Sequence, residues 1–163
     1  MEPDGGEFEG FFAREYDGVL RSIEAITGDR EMAVDATQDA FIKANLHWPT
    51  IRNYDSPTAW VRRAAINASR DQQRSERRRR TREVSVHAQH TVSTLDGPDR
   101  IDADASARAL LDQLSVRQRE VAALFYVEDR SIDDIADTLG VSVGTVKSQL
   151  SEARQRLRQV HRH

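Results

Sequence analysis

The chain has 163 residues, of which 38% are hydrophobic and 31% charged, and no cysteine. That length holds one ordinary domain or two small ones, and the composition excludes a large enzyme fold, a disulfide scaffold, a thiolate zinc site and any cysteine nucleophile. The formal net charge of −3 hides segregation, with residues 1–50 at net −7 and residues 51–82 at net +7; a basic partner suits the first stretch and a polyanion the second.

No apolar run approaches the ~18 residues that a membrane span needs. The start, Met1-Glu2-Pro3-Asp4, lacks the basic-then-apolar order of a signal peptide. The expectation is a cytoplasmic protein with no membrane span.

In chain order, Phe8, Phe11, Phe12, Tyr16, Val19, Leu20, Ile23 and Ile26 recur at three and four, which predicts an amphipathic helix ended by Gly28. Asp29 is placed to cap a second helix, with Met32, Ala33, Ala36, Ala40, Phe41, Ala44 and Trp48 as its buried stripe and Pro49 as its stop. The opposite face carries Asp35, Gln38, Asp39 and Ile42. Ser56-Pro57 reads as N-cap and N1 of a long helix. Its inward residues are Trp60, Val61, Ala64, Ala65 and Ala68, and Arg62, Arg63, Asn67, Arg70 and Arg74 point outward before the run Arg77–Arg80. Helical spacing places Trp48 and Trp60 in the core, whereas Tyr54 stands in a polar loop, open to stacking on an unpaired base.

Periodicity fails between residues 81 and 104, where Ser, Thr, His, Asp, Gly97 and Pro98 dominate, so this segment is expected to be a flexible linker. It resumes with Ala109, Leu110 and Leu114, followed by a capping box at Ser115–Gln118 ahead of Val121, Ala122, Leu124 and Phe125. The fold class is therefore all-α: two small helical domains, residues 8–80 and 105–160, joined by a linker over 81–104.

Residues 131–157 read SIDDIADTLGVSVGTVKSQLSEARQRL. Ser131 and Asp134 form a further capping pattern, Gly140 allows a turn with positive φ, and Ser142 caps the next helix. Val143, Val146, Leu150, Ala153 and Leu157 are spaced to point inward, leaving Thr145, Lys147, Ser148, Ser151 and Arg154 outside. This is the pattern of a helix-turn-helix, whose small hydroxyl residues admit the DNA backbone while Lys147 and Arg154 reach phosphates or guanine edges. One such module buries only ~600–1,000 Å² on DNA and binds modestly alone, so the arginine-rich helix is expected to supply a second anchor.

Nothing suggests catalysis or a cofactor. The pair His87/His90 lacks a periodic scaffold and a carboxylate at helical ligand spacing, the pair His161/His163 is expected to sit at a fraying end, and no glycine-rich phosphate loop or nucleophile elbow occurs. No metal site is expected.

With these segments in place, the chain resembles the extracytoplasmic-function sigma factors of the sigma-70 family, and within them the short actinobacterial SigE-like group. DATQDAFIKANLHW is similar to the family's core-binding segment, PTAWVRRAAINASRDQQRSERRR to its promoter-melting and minus-ten helix, and RQREVAALFYVEDRSIDDIADTLGVSVGTVKSQLSEARQRLR to the fourth sigma domain, with GTVKS its most specific string. The resemblance implies that Asp35, Gln38, Asp39 and Ile42 meet the clamp helices of the largest subunit of core RNA polymerase, and that the second domain meets the flap of the second-largest. It implies that Asn53, Tyr54 and Asp55 capture a flipped minus-ten base of promoter DNA, with Arg62, Arg63, Asn67 and Arg70 beside them. Thr145, Lys147, Ser148, Ser151 and Arg154 would lie in the minus-thirty-five groove, with Arg130 on phosphate. It also leaves room for an anti-sigma partner. Gln149, Glu152, Asp134 and Ile66 depart from the family's common residues, which bears on promoter preference. The alternative is a two-domain helix-turn-helix regulator that binds DNA without polymerase; it does not account for an acidic helix followed by an arginine helix.

Overall fold

A computed structural model describes residues 4–83, 101–160 and 162. The described residues form α-helices α1 (Asp4–Thr27), α2 (Arg30–Leu46), α3 (Trp48–Ile51), α4 (Pro57–Glu83), α5 (Ile101–Asp112), α6 (Val116–Ala122), α7 (Ile132–Leu139) and α8 (Val143–Val160), with a π-helical turn over Ala123–Val127. The chain is all-α, built from the two helical units that the hydrophobic periods predict.

The first unit is α1 to α4. Gly28, at φ +68°, reverses the chain after α1, and Asp29 caps α2 by accepting from the Met32 N–H at 3.1 Å. Phe11, Phe41 and Trp48 form the aromatic centre, with Phe11 and Trp48 ring centroids 4.9 Å apart and Phe8 edge-on to Trp48 at 5.4 Å. Trp48 is buried as expected, but it does not belong to the second helix. That helix ends at Leu46, and Pro49 lies in the first turn of α3. Proline lacks only an N–H that a first turn leaves unbonded, so Pro49 starts a short helix here as readily as it would have stopped a long one.

The second unit is α5 to α8. Ser115 and Gln118 complete the capping box of α6, each side chain bonding the other residue's backbone N–H. Ser131 accepts from the Asp134 N–H at 3.1 Å to open α7, and Gly140, at φ +67°, ends it. Ser142 then accepts from the Thr145 N–H at 3.1 Å to open α8. Val146, Leu150 and Ala153 are buried, as the period predicts. Val143 differs: expected inward, it is 36% exposed, at the first position of α8.

Helix enters both ends of the segment expected to be a linker, since α4 continues to Glu83 and α5 begins at Ile101. The remainder, residues 84–100, lies outside the described residues, and so do His87, His90, His161 and His163.

The two units share one hydrophobic core. Val121, Leu124, Ile135 and Leu139 join the cluster formed by Val19, Ile23, Phe41, Val61 and Ile66. Helix α4 is consequently covered on two sides, by α1 and α2 of its own unit and by α7 of the other. From α6, Arg119 reaches back to the Leu111, Leu114 and Ile26 carbonyls, tying α5 and α1 to the same junction.

Candidate nucleic-acid interface

Three surfaces carry the predicted residues. On α2, burial of Ala33, Ala36, Ala40 and Ala44 against the core leaves Asp35, Gln38, Asp39 and Ile42 on the solvent side. Ile42 is 60% exposed, and Leu46, one turn further along the same face, is 72% exposed. Leu46 was not among the predicted site residues. The signal for it was the spacing of four from Ile42, which places both on one stripe. The surface is thus acidic at one end and apolar at the other, with Lys43 3.9 Å from Asp39 at its edge.

The second surface is the loop between α3 and α4 together with one side of α4. Asn53, Tyr54 and Asp55 are exposed, with Asn53 held by its amide donating to the Pro49 carbonyl at 3.1 Å. Ser56 closes the loop by accepting from the Ala59 N–H at 3.1 Å, which starts α4. Beyond that point the structure corrects the sequence reading. Arg62, expected to point outward, is buried at 3% exposure, and its Nε finds no partner among the described residues. Burial pushes the Arg62 guanidinium below its ordinary value, and the like charge of Arg130 adds to this while Glu128, Glu15 and Asp134 oppose it. Arg130 is half-buried and close enough for its charge to act on Arg62.

Arg63 and Arg70 also turn to the second unit. Arg63 donates to the carbonyls of Thr138 and Asp137 at the C-terminal end of α7, where the helix dipole is negative. Arg70 grips Glu120 of α6 through two parallel bonds, Nε to Oε1 at 2.7 Å and Nη2 to Oε2 at 2.5 Å. Glu120 is fully buried, and Arg117 stands 3.8 Å from the same carboxylate. The hydrogen bond to Glu120 raises the Arg70 guanidinium above its ordinary value despite its partial burial. Asn67 stays exposed and accepts from Arg70 at 3.4 Å. Glu120 is not evident from the sequence because it follows Arg117, Gln118 and Arg119 in a short charged run, with nothing local to mark a buried carboxylate. Beside this contact a groove of about 260 Å³ opens between α4 and α6, lined by Arg70, Arg74, Arg77 and Arg117.

The third surface is the outer face of α8. Thr145, Lys147, Ser148, Ser151 and Arg154 are all exposed on it, as predicted. Thr145 shares a hydrogen bond with Ser142 at 2.9 Å, so its hydroxyl is oriented by the cap. Arg154 donates from Nε to the Tyr126 hydroxyl at 2.8 Å and lies within 6.0 Å of the Phe125 and Tyr126 ring centroids. Tyr126, carried by the π-helical turn, thus positions a residue that the sequence identified without its support. Among the described residues no group of three metal-ligating side chains comes together, and no helix is long and apolar enough to cross a membrane.

Comparison with known proteins covers both units. Residues 11–79 match the family Sigma-70 region 2, and residues 105–157 match Sigma-70, region 4. The RNA polymerase sigma-E factor of Streptomyces coelicolor is 34% identical over 94% of this chain and 85% of its own length. The ECF RNA polymerase sigma factor SigE of Mycolicibacterium smegmatis is 30% identical over 87% of this chain and 56% of that protein. Among solved structures, the sigma factor RpoE of Bartonella quintana, in complex with the anti-sigma factor NepR, superposes with a TM-score of 0.77 at 22% identity, covering 96% of this chain and 97% of that one. At that identity the likeness speaks for the fold alone.

Proposed function

We infer, since this chain belongs to the extracytoplasmic-function group of the sigma-70 family of RNA polymerase sigma factors, that its three exposed surfaces divide a sigma factor's work among them. The protein directs RNA polymerase to promoters and initiates transcription. The α2 stripe of Asp35, Gln38, Asp39 and Ile42, extended by Leu46, is the docking face for the clamp helices of the polymerase's largest subunit. Acidic side chains there meet a basic partner, and the two exposed apolar residues give the contact a dry centre. The second unit meets the flap of the second-largest subunit.

On the DNA side, Asn53, Tyr54 and Asp55 take a flipped minus-ten base, with Arg62, Arg63, Asn67 and Arg70 of α4 on the adjoining backbone once they are released from the junction. Thr145, Lys147, Ser148, Ser151 and Arg154 read the minus-thirty-five element, and Arg130 contacts phosphate. In this reading residues 8–80 and 105–160 act as separate domains on the polymerase, with 81–104 as their tether, and anchoring both to one large partner supplies the affinity that each lacks. The protein works in the cytoplasm without cofactor or catalysis of its own. An anti-sigma partner is part of the proposal, because the structurally similar RpoE is solved in complex with the anti-sigma factor NepR.

The single observation that carries this reading is the coexistence, on one chain, of an exposed acidic-apolar stripe on α2 and a capped helix-turn-helix with a cationic, hydroxyl-rich outer face. The test is assembly with core RNA polymerase from an actinobacterium, followed by run-off transcription on fragmented genomic DNA. Stable assembly with new transcripts supports the function; absence of assembly, with specific dimeric binding of DNA by the protein alone, contradicts it.

A further inference from the structure

We propose that Glu152 is a further base-reading residue on α8, positioned by Gln118 of α6, and that it selects cytosine in the minus-thirty-five element. This deepens the reading above that the outer face of α8 enters the major groove, and rests on it. Gln118 is half-buried, and both ends of its amide are committed. Its Oε1 accepts from the Ser115 N–H at 3.1 Å to complete the capping box, which leaves its Nε2 to donate to Glu152 Oε2 at 3.3 Å. The cap therefore fixes which end of the amide faces α8. Glu152 itself is exposed, and among the described residues its other carboxylate oxygen meets no partner.

Helical spacing sorts the outer face of α8 into two edges. Thr145, Ser148 and Glu152 follow one another at three and four, and Lys147, Ser151 and Arg154 at four and three. The second edge carries both cations and is braced by Tyr126 through Arg154. The first carries a carboxylate, braced by Gln118. A group that only accepts is a selective reader, because the bases differ in what they show the major groove. Cytosine shows the N4 amino group and no acceptor, guanine two acceptors, thymine one, and adenine a donor beside the N7 acceptor. A carboxylate is thus attracted by cytosine, repelled by guanine and thymine, and opposed in part by adenine. It also repels the phosphates of any sequence, so Glu152 lowers affinity in general while sharpening discrimination. Gln118 is the positioning residue, since its bond restricts the rotamers from which Glu152 reaches the groove.

The test uses holoenzyme assembled from core RNA polymerase and the full chain. Its template is a promoter that the unsubstituted protein uses, with the minus-thirty-five segment randomised and transcripts counted by sequence. The unsubstituted protein is expected to favour cytosine at one position by about fivefold, the lower end of what a base contact supplies. Glu152→Gln keeps the side chain's shape and removes its charge. It should cut that preference to less than about twofold and raise transcription from promoters with guanine there. Gln118→Glu keeps the acceptor that the capping box needs but faces Glu152 with a second carboxylate. It should weaken the same preference with little change in melting temperature, which a purely structural role of Gln118 would not do. The double variant Gln118→Glu/Glu152→Gln can re-form the bond in reverse, yet should not regain cytosine, because the reader is then uncharged. A preference unmoved by Glu152→Gln overturns the role of Glu152, and a Glu152-dependent preference for another base overturns the assignment of cytosine. A preference unmoved by Gln118→Glu overturns the positioning role. Lys147→Ala/Arg154→Ala tests the underlying reading separately: if the selected minus-thirty-five sequences do not change, α8 does not read that element and the proposal fails with it.

Discussion

Single residues decide what this chain exposes. Arg70 and Glu120 form a contact whose carboxylate is wholly out of water, and removal of Arg70 leaves that buried charge with only the longer 3.8 Å contact to Arg117. Arg70→Ala is expected to destabilise the fold by about 3 kcal/mol in denaturant titration at neutral pH, the ordinary cost of such a break. The double variant Arg70→Ala/Glu120→Gln should recover a good part of that loss, and a double variant as unstable as the single one would show the contact to be energetically idle. Because the Arg70 guanidinium is raised above its ordinary value by Glu120, it stays charged at all pH values below that range. Its contribution is lost only as pH rises through the raised value, so the arginine side of the contact introduces no pH dependence near neutrality. Tyr126 acts at the same scale on the other domain. Tyr126→Phe removes the hydroxyl that accepts from Arg154 and should weaken minus-thirty-five-dependent transcription modestly, by less than Arg154→Ala does, while leaving polymerase binding intact.

At the scale of elements, local chemistry made most of the fold readable. The Asp29, Ser56, Ser115, Ser131 and Ser142 caps all form at the positions where small oxygen-bearing side chains precede apolar periods. Ser115→Ala should therefore cost about 1 kcal/mol in a thermal or denaturant melt, and Gly140→Ala about 1–2 kcal/mol because φ there is +67°. What periodicity could not supply was which elements meet. It reads one buried face per helix, but α4 has two, and the second is covered by a unit distant in sequence. That is why spacing alone assigns Arg62 to the outside although it is buried, and why Ile66 beside it is a core residue at 1% exposure. The α8 surface is legible for the opposite reason, since among the described residues α6 and α7 are the main cover of that helix and its uncovered face follows from spacing alone. Pro49 shows the same limit on a small scale, because the residue is compatible with ending one helix or beginning another and only the packing of Trp48 decides.

For the molecule as a whole, the separation of charge between residues 1–50 and 51–82 becomes a separation of surfaces. The acidic helix α2 presents its stripe to solvent, whereas the arginine helix α4 is shared between solvent and the other unit. The two surfaces proposed to face DNA are thus unequal: α8 is open and α4 is engaged by the second unit. The central claim is that binding to polymerase and recognition of the promoter reside on different helices. Its most direct test compares two variants, Gln38→Ala/Asp39→Ala and Lys147→Ala/Arg154→Ala, in one paired assay of core polymerase affinity and of run-off transcription from a promoter that the unsubstituted protein uses. The account predicts that the first variant loses polymerase affinity, and that the second keeps it while losing transcription that depends on the minus-thirty-five element. Equal loss of polymerase affinity in both variants would contradict it.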